Sequence, residues 1–527
     1  MTNFKNHRNA IHKHDEFLTK NVRYLIDHSR QVSPTSVVDP TLWENVYHTD
    51  NNADWNKKLN IKINSQSYVG PIRAKFNLPA ATGAVIQTQQ LVLTVTGAAW
   101  TAAVGDYCFA AKSNVTSYNN RTSNLSFSDY STTVAPTAAQ LQTQINTNPV
   151  VALNGGLTVA LNGGTIALGT LDFTVTWNSA GPKPQLFCVS TLDDVGTGSY
   201  SWVPSITSGK GYKANVGLYL FDRIKLKSGN TEVYDWDYRQ VVKFILDRME
   251  PEQWLMYQEM VGAYDFNNGT VYAPIFVPWS REFHEDYNHE MFHHLYPAGG
   301  VHEELEFELT FAPNTWMCEG ASCTAPSNFT FELHHIEYSH SVIHEAKHKQ
   351  DIKSIGWQMR GLHFEVIQST AITSGTLTKV DLSSLSTQGS TKFYMLTLIK
   401  VADYDTNFDF YKSEKITELT LRDDSKRMFD DLTDANDVDL YHRIDLDKRF
   451  PSDNGWVYYI DFGSHGVKHA FDYSGAWNKL KINDISMEIK HAVGENCYLF
   501  VMAGILVDYV INQKGRFRRV FGGDIYE

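Results

Sequence analysis

Seven residues, Leu305-Glu-Phe-Glu-Leu-Thr-Phe311, alternate apolar and polar without a break. Successive side chains on a strand point to opposite faces, so this period suits a half-buried β-strand and not a helix. The same alternation returns at Leu59-Asn-Ile-Lys-Ile63 and Ile72-Arg-Ala-Lys-Phe-Asn-Leu78, and Leu42-Trp-Glu-Asn-Val-Tyr47 is read as a strand beside them. Further strands are expected at 92–96, 151–153, 158–161 and 171–177, between turns such as Asn154-Gly-Gly156 and Asn162-Gly-Gly164. The two Leu-Asn-Gly-Gly copies there form a weak internal repeat. Downstream, 329–338, 356–368, 393–401, 411–421, 456–462, 480–489 and 498–511 have strand length and are separated by turn signals. Many strands at such spacing imply an all-β chain built from sandwiches.

The stretch from Gly211 to Pro313 interrupts that monotony. A strand pair is expected over 216–226, then a turn at Ser228-Gly229-Asn230, where Gly229 can take the positive φ of a tight hairpin. Residues 232–264 read as helical, with Tyr234, Tyr238, Val241, Val242, Ile245 and Met249 near three-and-four spacing. Pro251, flanked by Glu250 and Glu252, breaks and restarts that pattern. The segment Val271-Tyr-Ala-Pro-Ile-Phe-Val-Pro-Trp279 and a His-rich loop to Pro297 follow.

At 527 residues, with 42% hydrophobic and 13% aromatic residues, the chain has material for two large β domains. A formal net charge of −13 argues against a protein that coats nucleic acid, whose face would be basic. No apolar run reaches the ~18 residues of a membrane span; the longest, 498–511, contains Asp508. The first residues lack the apolar core of a signal peptide. Five scattered cysteines (Cys108, Cys188, Cys318, Cys323, Cys497) form no disulfide framework, which implies folding in a reducing compartment. The glycosylation sequons at Asn114, Asn120, Asn124, Asn268 and Asn328 would carry no meaning there. A bridge or metal site at Cys318 and Cys323 stays open as an alternative.

The order strand, glycine hairpin, helix pair, Pro-hydrophobic-Pro-Trp, aromatic loop and acidic strand resembles the end of the first jelly roll in double-jelly-roll major capsid proteins. That lineage runs through adenoviruses, tailless membrane-containing phages, nucleocytoplasmic large DNA viruses and virophages. The counterparts here are 224–236, 273–279 and Leu295-Tyr-Pro-Ala-Gly-Gly-Val-His-Glu-Glu-Leu-Glu-Phe307. The strand ending Leu78-Pro79 resembles the family's opening strand. In the second half, Asn407 to Leu421, Arg427-Met-Phe429, and Gly455-Trp-Val-Tyr-Tyr-Ile-Asp-Phe462 through Phe471-Asp-Tyr-Ser-Gly475 to Lys481-Ile-Asn-Asp484 resemble its second jelly roll, without the family's Pro before Ser-Gly.

The resemblance implies two jelly rolls side by side, with an inserted β tower and short helices between strands. Residues 1–37 would be an N-terminal arm, basic and with a weak helical stripe. Residues 38–328 would be the first jelly roll, interrupted by a Thr/Ala/Gly-rich tower at 81–199. Residues 329–510 would be the second jelly roll, and 511–527 a tail. Function would then be that of a major capsid protein in an icosahedral double-stranded DNA virus. It would trimerise into pseudo-hexagonal capsomers, carry no enzymatic activity and need no cofactor. Its partners would be its own trimer, neighbouring capsomers, and minor capsid or penton proteins. An inner membrane could be reached through the arm, and a host receptor or glycan through the tower. Sequence-specific nucleic-acid binding is not expected.

One motif points elsewhere. His344-Glu345-Ala346-Lys347-His348 satisfies H-E-x-x-H, which on a helix sets two imidazoles on one face with a glutamate to activate a zinc-bound water. A zinc-dependent metallopeptidase is therefore an alternative reading, with His334, His335, His340 and Glu365 as further ligand candidates. Against it stand the polar flanks, Lys347 between the ligands, and the short space between strands. An incidental metal at His340, His344 and His348 is the milder version. A β-sandwich adhesin is a third class. The cluster His284, His289, His293, His294 and His302 suits a hydrogen-bonded interface loop or a metal; at a subunit boundary it would make assembly pH-dependent.

Overall fold

The computed structural model describes residues 42–63, 68–96, 106–112, 125–126, 137–148, 151–152, 155–162, 170–181, 183, 185–190, 199–207, 209–248, 260–262, 266–278, 296–297, 303–319, 323–338, 357–385, 390–406, 408, 413–423, 426–427, 456–462, 477–478, 485–512 and 514–521. The arm at 1–37, the H-E-x-x-H motif, the five-histidine cluster and Phe471 to Gly475 lie outside them.

The opening alternations all fall in strands: β1 (Leu42–Asp54), β2 (Lys58–Ile63) and β3 (Tyr68–Leu78). Ile61, Ile63, Ile72, Ala74, Phe76 and Leu78 are the buried half of the pattern. The chain then runs through β4 (Ile86–Thr96), β5 (Asp106–Lys112), β6 (Leu125–Ser126), helix α1 (Ala138–Asn146), β7 (Leu157–Leu161), β8 (Thr170–Ala180), β9 (Gln185–Ser190) and β10 (Ser199–Thr207). These strands form two small sheets, ordered β10-β4-β8-β7 and β6-β5-β9. Buried glutamines link them. The Gln89 amide donates to Leu186 O at 2.8 Å and accepts from Leu186 N–H at 3.0 Å, so a side chain of β4 imitates a ladder rung to β9.

Two expectations fail inside this insertion. Residues 151–152, read as strand, are helical, and α1 was not anticipated. Its start was legible: Thr137 and Gln140 form a reciprocal capping box, with Leu141 and Ile145 buried below it.

Next come β11 (Gly211–Tyr212), a 3-10 turn over Val216–Tyr219, β12 (Phe221–Ser228), β13 (Thr231–Asp237) and helix α2 (Tyr238–Arg248). Strands β14 (Gly269–Ile275), β15 (Tyr296–Pro297), β16 (Leu305–Phe311), β17 (Cys318–Glu319) and β18 (Asn328–Tyr338) complete this half. The Gly229 hairpin is as expected, at φ +57°. The strand expected from Val216 begins only at Phe221, and the helix expected from Glu232 begins only at Tyr238. The hairpin register explains the second correction. It sets Tyr234 opposite Leu226 and Trp236 opposite Ile224, so 231–237 must alternate as a strand. Tyr234 satisfies both periods, which is what made the helix seem longer.

The second half contains β19 (Trp357–Gln368), β20 (Thr378–Asp381), β21 (Ser390–Lys400), helix α3 (Val401–Thr406), β22 (Ile416–Asp423), β23 (Lys426–Arg427), β24 (Tyr458–Asp461), β25 (Trp477–Asn478), β26 (Ile485–His491), β27 (Cys497–Ile511) and β28 (Phe517–Phe521). Its main sheets are β19-β27-β21-β24 and β20-β26-β22-β23; those of the first half are β1-β18-β3-β14 and β13-β12-β16-β2.

If the core strands of each half are counted one to eight in chain order, both halves give the same pair of sheets, 1-8-3-6 and 2-7-4-5. Two four-stranded sheets so connected are a jelly roll, and the chain is a double jelly roll. The insertion fits between strands three and four of the first. One boundary is corrected. Residues 329–338 were expected to open the second sandwich, but β18 pairs with β1 and β3 and is the eighth strand of the first. Its non-local pairing decides its membership, and sequence proximity does not reveal that.

The first core is aromatic. Phe76, Phe221, Phe311, Phe329 and Phe331 pack between the sheets, with ring centroids from 5.2 Å (Phe76–Phe331) to 6.0 Å (Phe76–Phe311). Most of these contacts are edge-on, the arrangement that ring quadrupoles favour, worth roughly 0.5–1.5 kcal/mol per pair beyond burial.

Candidate functional site: the seam between the sandwiches

An ordinary sandwich strand buries one face. In the second jelly roll, β21 is buried at every position from Thr391 to Ile399. Its second face is covered by the first jelly roll. Phe244 of α2 stacks on Phe393 at 5.1 Å and meets Phe364 at 5.2 Å, while Trp236 of β13 meets Phe364 edge-on at 5.3 Å. Gly504 makes the room: a Cβ there would sit 2.4 Å from the Phe393 ring. Thr397 Oγ1 donates to Gln240 Oε1 at 3.3 Å across the same seam.

Arg239 is the charged centre of the seam and only 6% exposed. Its Nε and Nη2 donate to the two oxygens of Asp237 at 3.3 and 3.1 Å, and Nη2 lies 3.3 Å from Asp222. Its guanidinium lies over Trp316 at 4.7 Å, Tyr404 at 4.6 Å and Phe408 at 5.2 Å. Burial alone would lower its pKa, but Asp237, Tyr404 and Asp222 hold it raised, so the cation persists. Burial raises the Asp222 carboxyl in spite of that cation. Trp316 comes from the first sandwich, while Tyr404 and Phe408 come from the second. The flat cation is therefore clasped by both, which a lysine could not reproduce. Beside it, Lys213 Nζ donates to Phe408 O at 2.6 Å.

The far end of the seam is closed by β28. It pairs with β27, and Phe517 is fully buried. Arg518 donates from Nη1 and Nη2 to Glu303 Oε2 and Oε1 at 2.6 and 3.0 Å, reaching the first sandwich. Arg519 Nη1 lies 2.8 Å from His363 Nδ1, which also accepts from Trp236 Nε1 at 3.4 Å. The same Nη1 lies 2.5 Å from His363 Nε2, so the arginine faces both ring nitrogens. Burial, with the Arg519 charge, holds His363 well below its ordinary pKa and hence neutral.

This arrangement fixes two sandwiches as one body, and it presents no nucleophile–base pair. The sequence-based metal candidates are not gathered here. His340, His344 and His348 lie outside the described residues. His334 on β18 contacts Glu332 Oε2 at 2.8 Å, and Glu365 lies 3.8 Å from His363. Among the described residues, no three of His, Cys, Asp and Glu are grouped to hold a metal. Sequence reasoning missed the seam itself. Its one local trace is Arg239 and Lys243, four apart on a helix whose other residues are mostly apolar.

No family model and no curated protein matches this chain. Among solved structures, it is similar to PBCV-1 VP54, as fitted into a cryo-EM reconstruction of the virophage Sputnik. That match has 8% identity, covers 92% of this chain and 97% of the other, and has a TM-score of 0.50. A second similar structure is the Faustovirus major capsid protein, with 9% identity, 94% and 98% coverage and a TM-score of 0.46. The match to VP54 extends the shared fold over nearly the whole length of both chains.

Proposed function

We propose that this chain is the major capsid protein of an icosahedral double-stranded DNA virus and assembles its shell as homotrimers. One observation carries the reading: a single eight-strand order occurs twice, in sandwiches fused through a buried seam. Three such chains around an axis set six similar sandwiches in a ring, and a six-fold outline tiles a hexagonal lattice. Closure by three requires a heterologous interface that returns on itself. The structural neighbour that was fitted into a virophage particle supports the same reading. The role is structural rather than enzymatic; no observation favours the peptidase or the adhesin.

The remaining assignments follow from that role. The strands between β3 and β11 pair only among themselves, among the described residues, which supports an inserted tower; its end, expected at 199, moves to about 207 because β10 pairs with β4 of the insertion. We assign it to the outer face, as the surface for a receptor or glycan. The arm at 1–37 is assigned to contact with an inner membrane, and neighbouring capsomers and minor capsid or penton proteins are further partners; the tail expected at 511–527 is corrected, because Ile511 ends β27 and 517–521 form β28, the clasp of the seam. The location is the capsid of the virion, after synthesis inside the host cell.

Cryo-EM of the purified oligomer tests the proposal. It predicts a three-fold particle of pseudo-hexagonal outline with six sandwich densities. A particle with two-fold or four-fold symmetry would overturn it.

A further inference from the structure

An asparagine side chain reaches the backbone N–H of the next residue, and a glycine there puts no Cβ in the way. The chain has four Asn-Gly steps, at Asn154, Asn162, Asn268 and Asn454. Both residues of the step fall among the described residues only at Asn268-Gly269. Asn267 and Asn268 are exposed, in the turn that leads into β14. Gly269 opens that strand opposite Leu78, and β14 is the last strand in its sheet order. Gly269 has φ +107°, and a Cβ built on it would meet nothing within 4 Å. The step therefore has a backbone that favours glycine and open space beside it. No hydrogen bond ties the Asn268 side chain among the described residues. Asn162 is the contrast: its Nδ2 donates to Asp172 Oδ1 at 3.0 Å and to Thr174 Oγ1 at 2.7 Å, and its N–H donates to Asp172 O at 2.9 Å.

We propose that Asn268 is a self-modifying site: Gly269 closes onto its side chain, and the turn gains a carboxylate as the folded protein ages. The inference is independent of the capsid reading, because the reaction needs only this chain and water.

The chemistry is amide exchange followed by hydrolysis, the route by which asparagine is heat-labile in proteins. The Gly269 nitrogen gives its proton to hydroxide and attacks Asn268 Cγ. A C–N bond forms, the Cγ–Nδ2 bond breaks, and Nδ2 takes a proton from water and leaves as ammonia. The product is a cyclic imide. Water then opens the ring at one of its two carbonyls. Opening at Cγ leaves aspartate; opening at the backbone carbonyl leaves isoaspartate, with the chain continuing through Cγ. Nothing is oxidised or reduced. Either product adds one negative charge to an exposed turn. The altered residue stands just before the first pair of the β14–β3 ladder, so the register of that pair is kept.

The test uses the full folded chain, held in warm, mildly alkaline buffer and sampled over days. Each sample is digested with an acid-active protease, which keeps new imide from forming, and its peptides are weighed. Isoaspartate is read separately, by enzymatic methylation with a labelled methyl donor. The peptide holding Asn268 should shift by the mass difference between an amide and a carboxyl, several-fold faster than the peptide holding Asn162. The rate should rise with pH, because hydroxide removes the Gly269 proton. Asn268→Gln should abolish the shift. Thr270→Ala breaks the glycosylation sequon but keeps the Asn-Gly step, and should leave the rate unchanged. In a chain unfolded in guanidinium, the difference between the two peptides should largely vanish. Conversion at Asn268 only after unfolding overturns the site. Conversion no faster than at Asn162, or a sugar found on Asn268, overturns it as well.

Discussion

Arg239 shows how one residue joins two sandwiches. It is buried against two carboxylates of its own half and two rings of the other. Removing one member of such a group strands the others, at a cost of about 3–5 kcal/mol. Arg239→Met should lower the urea midpoint by that measure, and Arg239→Lys should recover only part of it, because the planar fork and ring contacts are lost. His363 makes the second residue-scale prediction. Its folded pKa lies well below the 6.5 of the free side chain, so the unfolded chain binds the extra proton first. Stability from this group is complete above about 6.5 and declines as pH falls below it. His363→Gln keeps an acceptor for Arg519 and Trp236. It should flatten the stability–pH slope just below 6.5, measured by urea unfolding at stepped pH; an unchanged slope would contradict the assignment.

At the scale of elements, local period was a good guide wherever one face of a strand meets the core. The alternations at Leu59, Ile72 and Leu305 lie in β2, β3 and β16 because burial repeats every second residue. It failed where partners lie far away in sequence. Nothing local in 328–338 says that its neighbours are β1 and β3. Nothing in 231–237 distinguishes strand from helix until the Gly229 hairpin fixes the register. Helix α1 was hidden in a Thr/Ala-rich stretch despite its capping box. The seam was illegible for the same reason: Trp316, Tyr404 and Phe408 become a site only when the two sandwiches meet. The clasp β28 gives a testable element. Ending the chain at Ile511 removes the buried Phe517 and the Arg518–Glu303 tie. Calorimetry should then show a lower Tm and two resolved transitions, one per sandwich, where the intact chain shows one.

At the scale of the whole molecule, duplication is the central fact. The second sheet order repeats the first, and a buried aromatic seam joins the pair. A tile of two like halves is suited to rings of three, where each contact surface recurs around the axis. The most direct measurement is the solution mass of the purified chain by light scattering. The account predicts a stable species of about three times 59.8 kDa that persists on dilution. A monomer at every concentration, or a dimer, would contradict it.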